Sequence, residues 1–111
     1  MSFQRYNNSM VGIDIVQISR IKLDTPVVSY ILTDKEMQEL EKKSGEQAKL
    51  NYAAGRFAAK EAIFKATQDR GYLQYSILTA ANGAPYVDGH PEISISISHD
   101  GGIAAAIVMI P

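Results

Sequence analysis

The chain has 111 residues and a mass of 12.2 kDa, 46% of them hydrophobic and 21% charged, which predicts one compact domain over residues 1–111. It contains no cysteine, so disulfides, thiolate nucleophiles and iron–sulfur clusters are excluded. Its two histidines, His90 and His99, lack the spacing of a helical zinc-binding pair. We therefore expect any metal to be a hard cation bound by carboxylates.

The net charge is −1, from 11 basic and 12 acidic residues. Binding to nucleic acid or to an anionic membrane would need a basic excess, so attraction to a charged partner must come from a local patch. No stretch reaches the ~20 apolar residues that span a bilayer, and the polar N-terminus is unlike a signal peptide. We expect a cytoplasmic protein in which residues 1–9 form a loose N-terminal segment.

The first predicted element is a strand over residues 10–16. Val11, Ile13 and Ile15 alternate along it with a second set that includes Gly12 and Asp14. Asp14 is therefore expected on the face that Gly12 occupies. Residues 17–23 are predicted to form one or two helical turns.

Two helices are predicted next. Thr33 and Glu36 have the spacing of a capping box, which predicts a helix from there to about Lys43. Residues 46–68 are rich in alanine and predict a second, longer helix. Gly55 lies in its middle and costs about 1 kcal/mol relative to alanine, which close packing against another backbone would explain.

The rest of the chain predicts short strands at residues 75–79, 86–87, 92–98 and 103–110, with turns at 82–85 and 99–102. In residues 92–98 isoleucine alternates with serine, so one face is apolar. A strand followed by helices and then by several strands predicts an α+β fold, with an antiparallel sheet packed on one long helix.

Asp14 and Glu61 are the most informative ionisable side chains. A carboxylate in an isoleucine-rich strand could face water, pair with Arg56, Lys60 or Lys65, or bind a cation. Glu61 could form an ordinary helix pair with Lys65, four residues later. Mg²⁺ takes one or two carboxylates and completes its shell with water and phosphates, so two carboxylates near lysines would suit a phosphate-bearing substrate.

His99 could be a solvated turn residue or a phosphate contact. Ser98 precedes it, but adjacent residues in a strand point to opposite faces. A Ser–His catalytic pair, and with it a hydrolase, is therefore not expected.

Several motifs together resemble the holo-acyl-carrier-protein synthases, the small members of the 4'-phosphopantetheinyl transferase superfamily. The resemblance covers about residues 10–110, and its most specific part is Asp14 together with Lys60 and Glu61 in the long helix. The matching segments are 12–16, 20–21, 31–33 with Glu36, 54–62 with 65–66, 82–85, and 96–99 followed by 104–106.

The resemblance implies transfer of the 4'-phosphopantetheine arm of coenzyme A to a serine of an apo acyl carrier protein, with Mg²⁺ as cofactor and adenosine 3',5'-bisphosphate as the second product. Asp14 and Glu61 match the family's Mg²⁺ ligands. Lys65 matches a lysine near the diphosphate, so Glu61 and Lys65 are the implied catalytic residues. The serine proton would go to Glu61 or to a metal-bound water.

Other matches concern binding. Arg20 matches a basic position that meets the acidic carrier protein, and Lys22 could extend that patch. Members of this size are typically homotrimers with a site at each subunit interface, so the resemblance implies a phosphopantetheinyl transferase fold assembled as a trimer. The positions that match the coenzyme A site are Arg56, Lys60, Asn82, Gly83, Pro85 and His99.

One segment departs from the family pattern. After Lys65 the family usually has a Gly-Thr-Gly-like loop, whereas residues 66–71 here are ATQDRG. The alternative function is therefore a non-catalytic subunit that binds coenzyme A or a carrier protein. A plain oligomeric structural domain is the third possibility.

Overall fold

The computed structural model describes residues 9–111, so the expected loose segment lies, apart from Ser9, outside the described residues. Within that range, no helix has the length and hydropathy that a bilayer crossing requires. The elements in chain order are β1 (Met10–Gln17), α1 (Val27–Ile31), α2 (Asp34–Glu41), α3 (Glu46–Thr67), β2 (Ile77–Thr79), β3 (Pro85–Val87), β4 (Ser94–Asp100) and β5 (Ile103–Ile110).

The predicted α+β class is confirmed by a three-stranded antiparallel sheet, in the order β1-β5-β4, that packs on α3. Small side chains let the helix and sheet backbones approach closely, and branched side chains fill the remaining space. The buried residues of this layer include Ala58, Ala62, Ile63, Ala106 and Val108. This packing fixes α3 against the sheet and thereby determines where the side chains of α3 lie.

The closest approach of β1 to α3 is at Gly12. A Cβ on Gly12 would lie 1.8 Å from the carbonyl oxygen of Ala62 and 3.0 Å from the amide nitrogen of Ala66. Asp14 shares this face of the strand, as the alternation predicts. The sequence therefore brings Asp14 against the C-terminal half of α3.

Both predicted helices are confirmed, with changes at their ends. The capping box forms: the Thr33 hydroxyl accepts from the Glu36 amide at 3.3 Å, and the Glu36 carboxylate accepts from the Thr33 amide at 2.8 Å. Helix α2 ends at Glu41, slightly before the predicted end. Helix α3 ends at Thr67, because Gln68 takes the left-handed conformation of a C-cap, with φ 65°.

One prediction is confirmed, one element was missed, and one prediction is corrected. The one or two helical turns predicted over residues 17–23 are present as a single 3₁₀ turn, Ile18–Arg20. Helix α1 was not predicted, because five residues that include two β-branched valines carry little helical signal. His99 lies inside β4, where it pairs with Ala104, and the turn itself consists of two glycines at positions 101–102 with positive φ.

Strands β2 and β3 form a separate two-stranded hairpin beside β4. Its turn includes Gly83, whose φ of 89° favours glycine. The predicted strand at 75–79 begins only at Ile77, the one at 86–87 begins at Pro85, and the one at 92–98 begins at Ser94 and runs to Asp100.

The outer face of the sheet, opposite α3, is apolar and exposed in the described part of the chain. Val11, Ile13 and Ile15 of β1 are 56%, 58% and 66% exposed. On the neighbouring central strand, Ile107 and Met109 continue the same surface in register with them. A contiguous apolar face of this kind marks an interaction surface.

Candidate active site

Asp14 forms an ion pair with Lys65 at the edge of the α3–β1 contact. Lys65 Nζ donates to Asp14 Oδ1 and to the carbonyl oxygen of Ile13, each at 3.0 Å. The Asp14 side chain is 15% exposed and the Lys65 side chain is 52% exposed. Of the pairings left open by the sequence, the one with Lys65 is observed. Because Lys65 is half in solvent, a ligand can reach this pair.

Glu61 does not pair with Lys65, so the ordinary helix pair is not what the structure shows. Its Oε2 instead lies 3.2 Å from Arg70 Nη1 and accepts a hydrogen bond from the Tyr72 hydroxyl. Partial burial and the bond to Glu61 raise the pKa of the Tyr72 hydroxyl. The sequence did not predict either partner of Glu61. The one sequence signal for them is that residues 66–71, which include Arg70, depart from the family pattern.

Asp14 is on β1, and Glu61 is in the C-terminal half of α3. Lys65 of α3 relates the two residues: its ammonium contacts the Asp14 carboxylate, and its Cα follows that of Glu61 by one helical turn. Carboxylate oxygens are the donors that Mg²⁺ prefers. Within residues 9–111 there is no group of three or more His, Cys, Asp and Glu side chains that could hold a metal. Two protein carboxylates leave coordination positions for water and substrate phosphates, which fits Mg²⁺.

Lys60 has a structural role, which corrects the expectation that it lines the coenzyme A site. Its residue exposure is only 2%, and Nζ donates to the Glu36 carboxylate, the Ile31 carbonyl and the Tyr72 carbonyl. The other Glu36 oxygen accepts from the Ile77 amide at 2.7 Å. Burial lowers the pKa of the Lys60 ammonium, although Glu36 opposes the shift. All three ammonium protons are used inside the protein, so none is left for a ligand.

A second candidate site is a cleft of about 340 Å³ between α3, the β2–β3 hairpin and β4. Four of the residues expected at the coenzyme A site line it: Arg56, Gly83, Pro85 and His99. Asn82 does not line it; its side-chain oxygen accepts from the Ala84 amide at 3.0 Å and shapes the turn. The lining residues that sequence reasoning missed are Lys43, Ala48, Asn51, Tyr52, Thr79 and Ile97.

Arg56 is anchored at the wall of this cleft. It donates to the Ile77 carbonyl at 3.0 Å and to the Thr79 hydroxyl at 2.8 Å, and its guanidinium carbon lies 4.0 Å from the centre of the Tyr52 ring. Tyr52 in turn donates to Glu39 at 2.7 Å. Arg56 Nη2 also lies 3.7 Å from Glu39 Oε1, so the guanidinium is fixed at the cleft wall with part of its charge balanced by Glu39.

The structure does not bring the cleft and the two carboxylates together within one chain. Asp14 is on β1 and His99 is on β4, the two opposite edges of the sheet. Arg56 and Glu61 are five residues apart on α3, which separates them by about 140° around the helix axis. The residues predicted for one site therefore form two half-sites in one copy of the chain.

Arg20 is among the residues that line a third feature, a small cavity of about 180 Å³ between the 3₁₀ turn, α1 and α3. The cavity is mainly apolar, with Val28, Leu32 and Phe57 among its lining residues. Lys22 also lines it, so the two basic residues predicted as one patch lie together. The cavity therefore combines an apolar lining with two basic side chains.

Comparison with known proteins places this geometry in one family. Residues 10–108 match the model of the 4'-phosphopantetheinyl transferase superfamily. The holo-[acyl-carrier-protein] synthase of Onion yellows phytoplasma is 35% identical over 90% of this chain and 91% of its own length. That of Acholeplasma laidlawii is 37% identical over 90% of this chain and 93% of its own.

Solved structures agree. The holo-(acyl-carrier-protein) synthase of Bacillus anthracis, in complex with CoA (3',5'-ADP), has a TM-score of 0.80 and 31% identity over 91% of this chain and 94% of that one. The Helicobacter pylori holo-[acyl-carrier-protein] synthase in complex with coenzyme A has a TM-score of 0.73 and 29% identity over 92% of this chain and 100% of that one.

These matches show that the chain belongs to the 4'-phosphopantetheinyl transferase superfamily. Within that superfamily, the relatives that it resembles over nearly their whole length are holo-[acyl-carrier-protein] synthases.

Proposed function

We infer that this chain transfers the 4'-phosphopantetheine group of coenzyme A to a serine of an apo acyl carrier protein, as a holo-acyl-carrier-protein synthase. The observation that supports the inference is the close α3–β1 contact at Gly12, together with the ion pair that Lys65 of α3, one helical turn after Glu61, forms with Asp14 of β1. The expected cytoplasmic location and the single domain over residues 1–111 belong to the same proposal.

The reaction is a phosphoryl-type transfer. The serine hydroxyl oxygen forms a bond to the diphosphate phosphorus next to the pantetheine arm, and the bond from that phosphorus to the bridging oxygen breaks. The leaving group is adenosine 3',5'-bisphosphate, and the serine proton passes to a base. Catalysis of this kind depends on alignment of the two oxygens and on positive charge around the phosphate.

Asp14 and Glu61 would hold Mg²⁺ on their carboxylate oxygens. When bound, Mg²⁺ supplies Lewis-acid and template chemistry to the diphosphate oxygens. Lys65, half exposed beside Asp14, has the length to turn its ammonium toward the leaving phosphate and offset the charge that develops there. Among this chain's own groups, Glu61 is the proposed acceptor of the serine proton, with a metal-bound water as the alternative.

The separated half-sites favour assembly of the site between copies of the chain. The cleft around Arg56 and His99 would hold the nucleotide end of coenzyme A, while Asp14 and Glu61 of a neighbouring copy would meet its diphosphate. The exposed apolar face of β1 and β5 offers a surface for that contact. A homotrimer, as the resemblance implies, would bring the two half-sites together and would cover the apolar face. The molar mass in solution, measured by light scattering, tests this assembly.

The carrier protein would dock beside Arg20 and Lys22. Both residues line the apolar cavity, which could receive an apolar side chain of the partner. The net charge of −1 gives no long-range attraction to an acidic protein, so this patch must supply it.

Transfer is tested by mass spectrometry of an apo carrier protein incubated with this chain, coenzyme A and Mg²⁺. We expect the carrier protein to gain the mass of one phosphopantetheine group, and chelation of the metal to prevent the gain. Asp14→Asn and Glu61→Gln should each slow transfer by about a hundredfold or more, because each removes a ligand charge from the reacting site.

Lys35→Gln is the matched control, since it removes a charge from an exposed ion pair with Asp88 on another part of the surface. It should transfer at the wild-type rate. Coenzyme A binding by calorimetry without product at any Mg²⁺ concentration would support the non-catalytic alternative instead. Normal transfer by both carboxylate variants would rule out the proposed metal ligands.

A further inference from the structure

Each carboxylate of the proposed cation site is paired with a basic side chain. Asp14 Oδ1 lies 3.0 Å from Lys65 Nζ, and Glu61 Oε2 lies 3.2 Å from Arg70 Nη1. A divalent cation on these same oxygens would repel both basic groups at short range and compete with them for the carboxylates. The proposed function gives Lys65 a new partner, the diphosphate, but it assigns none to Arg70.

Arg70 has two contacts besides its ion pair with Glu61, and the one with Phe64 does not involve Glu61. Its guanidinium carbon lies 3.8 Å from the centre of the Phe64 ring, and Nη1 also donates to the Tyr72 hydroxyl at 3.0 Å. The side chain is 55% exposed, so a ligand can reach it. A guanidinium stacked on a ring can turn in its own plane and keep the aromatic contact while its hydrogen-bond partners change.

The acidic neighbour of Arg70 is directed elsewhere. Asp69 Oδ1 accepts from the Gly71 amide at 3.1 Å, and Oδ2 accepts from the Tyr75 hydroxyl at 3.3 Å. The Asp69 carboxylate therefore braces the segment 69–75 and does not neutralise Arg70. The positive charge of Arg70 remains beside Glu61 and open to solvent.

We propose that Arg70 is an exchangeable counter-ion of Glu61 that becomes a phosphate-binding residue for coenzyme A. In the cation-free protein it balances the Glu61 carboxylate. When the cation takes Glu61, the guanidinium stays stacked on Phe64 and donates to diphosphate oxygens, whose geometry matches its planar fork. This inference rests on the proposed function, because it takes Glu61 as a cation ligand.

Two affinities with opposite expected changes test the proposal. Mn²⁺, a stand-in for Mg²⁺ with the same preference for oxygen ligands, is titrated into nucleotide-free protein. Arg70→Gln should bind it several-fold more tightly than the wild type, because a competitor for Glu61 is gone. Coenzyme A titrated in the presence of Mg²⁺ should bind Arg70→Gln about tenfold more weakly, because a charge-assisted hydrogen bond is lost. A Mn²⁺ affinity that is unchanged or lower, or an unchanged coenzyme A affinity, overturns the proposal.

Matched variants separate this inference from the proposed function. Arg70→Lys keeps the charge but lacks the fork, so we expect near-wild-type Mn²⁺ affinity and an intermediate coenzyme A affinity. Lys35→Gln should change neither affinity. Mn²⁺ binding by Glu61→Gln that equals the wild type would contradict the proposed cation site itself. Loss of Mn²⁺ by Glu61→Gln, together with wild-type behaviour of Arg70→Gln, would contradict only the role of Arg70.

Discussion

Two lysines on α3, Lys60 and Lys65, show how one helix serves two purposes. Lys60 is 2% exposed and gives all three ammonium protons to protein acceptors, among them the buried Glu36 carboxylate. Lys65 is half exposed and shares its ammonium between Asp14 and a strand carbonyl. Both are lysine–carboxylate pairs that join distant parts of the chain. Only the first has its donors enclosed.

The difference lies in what each pair can do next. A buried ion pair is strongly destabilising to break, because the remaining charge is left without a partner away from water. An exposed pair contributes little to stability, since water can replace either partner. The Lys60 pair therefore fixes the fold, whereas the Lys65 pair can open for a substrate at small cost.

The strongest test applies one substitution to both lysines. Lys60→Met leaves Glu36 buried and unpaired, and we expect it to lower the free energy of unfolding by about 3–5 kcal/mol. Lys65→Met should change that free energy by less than about 1 kcal/mol while it slows phosphopantetheine transfer. Urea unfolding at one protein concentration, with transfer assayed in parallel, gives both quantities. Equal stability losses for the two variants would contradict the comparison.

The sequence predicted the position of Asp14 correctly but did not predict the burial of Lys60, for a physical reason. Asp14 was predicted on the face of Gly12, and the period of a strand was enough to place it there. Lys60 and Glu61 are adjacent in the sequence, and helical spacing alone does not tell which faces water. Burial of Lys60 depends on Glu36 and the Ile31 carbonyl, contacts of long range that no local pattern encodes.

The fold shows the same limit. The long helix, the capping box and the hairpin of β4 and β5 have strong local signals, and all three are confirmed. Helix α1 and the partners of Glu61 depend on tertiary contacts, so they were missed. Close packing against another backbone would have explained Gly55. Its neighbour is instead the Ile97 side chain, whose Cγ2 would lie 3.0 Å from a Cβ on residue 55.

Substitutions at two glycines should have effects of intermediate size. The Lys65–Asp14 pair forms only while β1 stays close to α3, and Gly12 lies at that contact. Gly12→Ala would place a methyl group 1.8 Å from the carbonyl oxygen of Ala62, so the strand must move away. We expect a loss of about 1–3 kcal/mol in unfolding free energy, together with slower transfer as Asp14 shifts.

Gly55→Ala is the matched control within the helix. The Ile97 side chain can move by a few tenths of an ångström, and alanine gains about 1 kcal/mol of helix preference over glycine. The net change in stability should be close to zero. If Gly12→Ala and Gly55→Ala behave alike in unfolding and in transfer, the close approach of β1 does not position the site.

The smallest expected effect concerns Glu39, whose side chain is 25% exposed, compared with 0% for Glu36 and 15% for Asp14. Burial tends to raise the pKa of its carboxyl, but hydrogen bonds from the Thr79 amide and the Tyr52 hydroxyl outweigh this and hold the pKa below its usual value of 4.5. A carboxyl with a lowered pKa in the folded state stabilises the fold above its unfolded pKa, and this contribution is lost as the pH falls through the folded value. Between about pH 7 and about pH 3, the wild type should therefore lose more stability than Glu39→Gln, by about 1 kcal/mol or less.

Glu41→Gln removes the same charge from an exposed position of α2 and should follow the wild-type curve in urea unfolding. Parallel curves for the wild type and Glu39→Gln would contradict this expectation. Glu39 would then behave as an exposed carboxylate, and Lys60–Glu36 would be the pair that distinguishes the buried ion pairs of the fold from the exposed ones.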